Sequence, residues 1–168
     1  AFSFPANFTM TFIMDFRATP ADAVGRHGGV MFCATTPTWR WDTTTPISGY
    51  TIDWIDRASD HGIRLIRSDG GVMTALDVAA HDTLLYPDPP VDWQIVVEGE
   101  EIRVFGDGEL LLEATDSTYR QGVFGVWCWS NNQTIAVDDV AVTSPQLSPC
   151  FNVTPAGAAE VETDVAFD

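Results

Sequence analysis

Four tryptophans fall in two pairs with a spacing of two: Trp127 with Trp129, and Trp39 with Trp41. On a strand, residues two apart share a face, so Trp127 and Trp129 set two rings side by side. Aromatic rings stack on the C–H faces of sugars, while acids and amides fix the hydroxyls. Thr51, Asp53 and Arg64 fall on strand-like runs, and with Trp127 and Trp129 they are expected to line one concave sheet. Trp39 and Trp41 share a loop and offer a second candidate contact. The competing reading is structural, because Trp is often well buried and any of these rings can serve a core instead.

The acids suggest less. Glu109 and Glu113 share one strand face, but four residues of strand span about 13 Å. Carboxylate pairs that cleave glycosidic bonds stand about 5.5 Å apart for retention and at most about 9.5 Å for inversion. Asp53 and Asp56 are an odd number of residues apart and face opposite sides of a continuous strand. Asp138-Asp139 opens a final strand pattern, and such a pair supplies the hard oxygens calcium takes; otherwise it is solvated or caps backbone. His27, His61 and His81 stand in loop-like contexts with no nucleophile motif nearby. Cys33, Cys128 and Cys150 form no Cys-x-x-Cys pair and have no neighbouring His, so zinc is not expected. Three cysteines allow one disulfide and one free thiol, with the pairing left open. No catalytic residue is assigned, and a structural calcium at Asp138 and Asp139 is the one cofactor considered.

The positioning elements are strands. Phe8 to Phe16 alternates with Phe8, Met10, Phe12, Met14 and Phe16 on one face. Further runs lie at Gly29–Thr35, Tyr50–Ile55, Gly62–Arg67, Val72–Val78, Trp93–Val97, Ile102–Phe105, Leu110–Leu112, Val123–Ser130 and Thr134–Val142. Gly, Pro, Asp and Ser clusters separate them, which is the pattern of an all-β sandwich of nine to eleven strands. Short stretches at Pro20–Val24 and Asp116–Tyr119 read as single helical turns. Residues 1–142 form the sandwich. Residues 143–168 are a C-terminal extension whose Val161, Thr163, Val165 and Phe167 alternate like a strand. It is expected to pack on its own sandwich or to add to the sheet edge of a neighbouring chain.

Composition bounds the partners. The chain has 168 residues, 24 Asp and Glu, and 8 basic residues, all Arg, for a net charge of −16. Such a surface repels phosphate backbones and anionic lipid, so neither nucleic acid nor a membrane is an expected partner. No run approaches the roughly 18 apolar residues of a membrane helix. Dense Asp without Lys fits a high-salt habitat; a GC-rich genome that favours Arg fits equally. Three of four Asn open a glycosylation sequon, at Asn7, Asn132 and Asn152. With a start at Ala1 rather than Met, this favours a processed glycoprotein, secreted or at the cell surface.

The segment 92–142 carries a motif order. It runs Asp92-Trp93-Gln94-Ile95-Val96-Val97-Glu98-Gly99, Ile102-Arg103-Val104-Phe105-Gly106-Asp107-Gly108, Gly122-Val123-Phe124-Gly125-Val126-Trp127 and Ala136-Val137-Asp138-Asp139-Val140-Ala141-Val142. Upstream, Gly28-Gly29-Val30-Met31-Phe32 and Gly49-Tyr50-Thr51-Ile52-Asp53 sit where two earlier strands fall. The pattern resembles the concanavalin A-like, laminin-G-like jelly roll over about residues 8–142. The resemblance implies an antiparallel jelly-roll sandwich, with Trp93 filling the core or capping one end. It leaves function open, because this fold carries lectins, glycan-binding modules, hydrolases and adhesion modules. The 3-keto-disaccharide hydrolases of this fold place Glu and Gln where this chain has Thr51 and Asp53, and Gln and His where it has Trp127 and Trp129, so their activity does not carry over. The expected role is a non-catalytic extracellular module, glycan-binding or adhesive, whose partners are carbohydrate or other copies of itself. The alternatives are a self-assembling subunit of an extracellular filament or surface layer, and a glycan-cleaving hydrolase.

Overall fold

A computed structural model describes residues 7–18, 26–35, 47–57, 60–79, 90–128 and 133–145. They form ten strands: β1 (Phe8–Ala18), β2 (Arg26–Ala34), β3 (Gly49–Arg57), β4 (Asp60–Asp69), β5 (Val72–Ala79), β6 (Val91–Glu98), β7 (Glu101–Gly106), β8 (Glu109–Thr115), β9 (Val123–Cys128) and β10 (Gln133–Thr143). The strands make two five-stranded sheets, ordered β10-β1-β6-β7-β8 and β5-β4-β3-β2-β9. Every pairing is antiparallel. No described residue is helical.

Period-two alternation builds the space between the sheets. The first sheet sends in Phe8, Met10, Phe12 and Met14 from β1, Val91, Trp93, Ile95 and Val97 from β6, and Ile102 and Val104 from β7. The second answers with Val30 and Phe32, Tyr50, Ile52 and Trp54, and Ile63 and Leu65. Rings meet across the interface. Trp54 and Trp93 pack edge to face with centroids 4.9 Å apart, and Phe8 meets Phe32 at 6.4 Å. Trp93 is therefore a core residue, as its motif implies.

Two glycines are demanded by backbone proximity. A Cβ on Gly122 would lie 2.4 Å from the Cys33 carbonyl carbon, and one on Gly49 would lie 2.6 Å from the Ala34 Cα. Both press on a bulge at Cys33, whose φ is +50°. The Cys33 thiol is free and buried, and burial pushes its pKa up to about 12. It is thus neither a disulfide partner nor a ready nucleophile.

The helical turn expected at Asp116–Tyr119 does not form; the segment is irregular. The competing force is side-chain bonding. Asp116 Oδ1 accepts from the Thr118 amide at 2.8 Å and from the Tyr50 hydroxyl at 2.5 Å, holding the chain against the sandwich rather than coiled on itself. Pro20–Val24 and residues 146–168 lie outside the described residues.

Candidate functional site

The register assembles one row across the outer face of the second sheet. Trp127 on β9 stands opposite Gly29 on β2, which stands opposite Asp53 on β3. Asp53 faces Arg64 on β4, and Arg64 faces Val78 on β5. Opposed residues of antiparallel strands share a face, so all five lie away from the other sheet. The next row runs Gly125, Met31, Thr51, Ile66 and Ala75. Thr51, Asp53, Arg64 and Trp127 therefore share a face.

Their exposure differs. Thr51 and Asp53 retain 2% of their accessible area. Trp127 is also buried, packed with Met31, Ala34 and Ile47 in a second apolar cluster. Its ring braces the face instead of being presented, which differs from the stacking role its spacing suggests. The physical reason is local: Met31 and Ala34, on β2 beside it, and Ile47, ahead of β3, supply an apolar socket. Arg64 stays accessible, its side chain keeping 30% of its area. Its Nε donates to Asp53 Oδ2 at 3.0 Å, and its Nη2 donates to the same oxygen. The buried carboxylate thus anchors an outward-facing guanidinium, and exposed Val78 lies beside it. Gly29, between Trp127 and Asp53, is forced by the close approach of β2 and β3: a Cβ there would stand 1.9 Å from the Ile52 carbonyl oxygen.

A second polar cluster, which the sequence did not reveal, sits beside the core. Arg67 donates from Nε to Asp69 at 2.9 Å and from Nη1 to Asp116 at 2.5 Å. The Tyr119 hydroxyl donates to Asp69 at 2.6 Å, and the Tyr119 amide donates to the Tyr50 hydroxyl at 3.2 Å. Burial pushes the Asp116 carboxyl up, but hydrogen bonds from Tyr50, Thr118 and Arg67 outweigh it and hold it at about 2. The Tyr119 hydroxyl bond leads in lowering Asp69. Burial, then the bond to Asp116, raises the Tyr50 phenol. Every member is paired within the cluster, so it reads as a latch joining the 116–119 segment to β3 and β4.

Asp138 and Asp139 have a backbone role. Asp139 adopts a φ of +51° at a bulge opposite β1, a conformation Asp tolerates better than most residues. Asp138 Oδ1 accepts from the Asp139 amide at 2.8 Å. Both are exposed. Among the described residues no group of three or more His, Cys, Asp or Glu side chains is placed to hold a metal ion. Asn7 is half-buried and its Oδ1 accepts from the Gly99 amide at 2.9 Å. Trp39, Trp41, Trp129, Asn132, Asn152 and Cys150 lie outside the described residues. No described helix is long and apolar enough to cross a membrane.

The architecture is that of the concanavalin A-like, galectin-type jelly rolls. It is similar to the carbohydrate-binding module CBM66 from Bacillus subtilis, with a TM-score of 0.63 at 17% identity over 86% of this chain and 78% of that one. A protein of unknown function with a galectin-like fold, also from Bacillus subtilis, gives a TM-score of 0.63 at 19% identity over 84% and 73%. The Caenorhabditis elegans galectin LEC-6 gives 0.54 at 14% identity over 84% and 85%. No protein-family model matches the chain, and no curated protein matches it in sequence. At these identities the likeness is one of fold.

Proposed function

We propose that this chain is a non-catalytic, extracellular carbohydrate-binding module whose site is the outer face of β3 and β4, centred on Arg64. The observation that carries this is the buried Asp53 anchoring an accessible guanidinium. A planar fork held by a carboxylate loses little freedom when it donates to sugar hydroxyls. Val78 beside it offers an apolar surface to ring C–H groups. Asp53, Thr51 and Trp127 hold the face in shape from beneath. The fold likeness to a carbohydrate-binding module and a galectin supports the reading. A net charge of −16 favours neutral glycans over anionic ones.

The test is a glycan array followed by calorimetry on the full chain. Binding to a neutral glycan is expected, weakened at least tenfold in Arg64→Lys. That variant keeps a cation beside Asp53, so its melting temperature should hold within a few degrees. An array without a hit, or unchanged binding by the Arg64→Lys variant, overturns the site. Release of reducing ends from any bound glycan overturns the non-catalytic assignment.

A further inference from the structure

We infer that the free edge of β5 pairs antiparallel with β5 of a second copy of this chain, joining two five-stranded sheets into one of ten strands. Among the described residues β5 has a hydrogen-bonded neighbour on one side only, β4. Sheet edges of this kind are normally guarded by charge or proline. The run Val72–Ala79 carries one charge, Asp77, and that carboxylate is engaged within the chain: its oxygens accept from the Val78 amide and from the Glu113 amide of β8, each at 2.8 Å. A bulge between Ala75 and Asp77 leaves Val72, Met73, Thr74 and Ala75 as an uninterrupted run, and all four are exposed.

The other edges differ. β8 shows exposed Glu109 and Glu113, β10 shows exposed Asp138 and Asp139 at its bulge, and the described side chains of β9 are buried or half-buried. The large apolar side chains exposed among the described residues are Val72 (68%), Met73, Val78 (59%) and Leu110. All stand on β5 or on β8, which the Asp77–Glu113 bond sets side by side. The patch is confined to one side of the sandwich.

Charge selects the occupant. Two copies at −16 each repel over most of their surface, and a cationic partner is drawn to that acidic remainder. The β5 run lacks outward acid, so it is where a like-charged copy approaches at least cost. Antiparallel self-pairing about a two-fold axis sets one uncharged strip against itself, so a single surface serves both partners. It also brings the two Arg64 side chains onto one face of the joined sheet, although the pairing does not depend on the sugar site. Four residues of strand span only about 13 Å, which makes a small interface and a reversible dimer.

The experiment is sedimentation equilibrium on the full chain. The mass should rise with concentration from 18.4 kDa towards twice that value. The dimer fraction should be larger near 1 M salt, where the screening length is about 3 Å, than near 0.05 M. Thr74→Glu and Met73→Glu should each weaken association at least tenfold without altering the melting temperature by more than a few degrees. A monomer at every concentration and salt level overturns the proposal, as does association that persists in both variants. Loss of association in Val165→Glu but not in Thr74→Glu also overturns it, because a neighbour's C-terminal segment would then be the occupant.

Discussion

The two faces of the β5-β4-β3-β2-β9 sheet are buried for different reasons. Inward, Tyr50, Ile52 and Trp54 alternate along β3 and meet the other sheet. Outward, Thr51 and Asp53 alternate along the same strand and are buried just as deeply. The inner face needs apolar volume and has it. The outer face carries a carboxylate and a hydroxyl where apolar side chains would pack with less desolvation cost. A buried charge that anchors an accessible guanidinium is poorly explained by stability alone. The contrast separates the face that makes the fold from the face on which the sugar site is proposed.

The sharpest way to break that contrast is on β3 itself. Ile52→Ala removes a fully buried side chain from between the sheets and should cost about 2–5 kcal/mol by urea unfolding. A loss below about 1 kcal/mol would mean that the inner face is not the tightly packed one.

Next comes the Arg64–Asp53 pair. The Arg64 side chain keeps 30% of its area and the Asp53 side chain 3%. Removing Arg64 takes an ion-pair partner from a deeply buried carboxylate, while removing Asp53 takes one from a side chain that already reaches water. Arg64→Ala should therefore cost about 3 kcal/mol and Asp53→Ala about 1–2 kcal/mol. The double variant should fall short of their sum by at least about 1 kcal/mol. Equal single costs with simple additivity would remove the anchoring argument.

The polar latch offers a pH test of intermediate size. Asp116 is held at about 2 in the folded chain, below its ordinary value near 3.9. A depressed carboxyl stabilises the fold at pH above its unfolded value and loses that contribution as pH falls through the folded one. Stability should drop by about 1–2 kcal/mol between roughly pH 4 and pH 2, after allowance for screening. Asp116→Asn should flatten that limb while lowering stability at neutral pH. An unchanged acid limb in the variant would show that other carboxylates set it.

The architecture was legible because its signal is local. β1 and β6 print their inner faces as Phe8, Met10, Phe12, Met14 and as Val91, Trp93, Ile95, Val97, one residue in two. The site was only half legible. Period two placed Trp127 on a face and could not say that Met31, Ala34 and Ile47 would close over it, since those segments are some 80–96 residues away in sequence. The latch joins Arg67 to Asp116 across 49 residues and leaves no local pattern. β5 misleads in the other direction: Val72–Ala79 reads as apolar strand, and its exposure follows from its place at the end of a sheet.

The smallest effect calibrates the others. Arg103 donates to Glu98 across neighbouring strands, in the same chemical pairing as Arg64 with Asp53, but Glu98 keeps 64% of its side-chain area. Water and salt screen such a pair, so Glu98→Gln should shift stability by less than about 0.5 kcal/mol, and less still near 1 M salt. A loss as large as that of Arg64→Ala would mean that the chemistry of the pair, and not the burial of its acid, sets the energy. The outer face of β3 and β4 would then lose its distinction from ordinary surface.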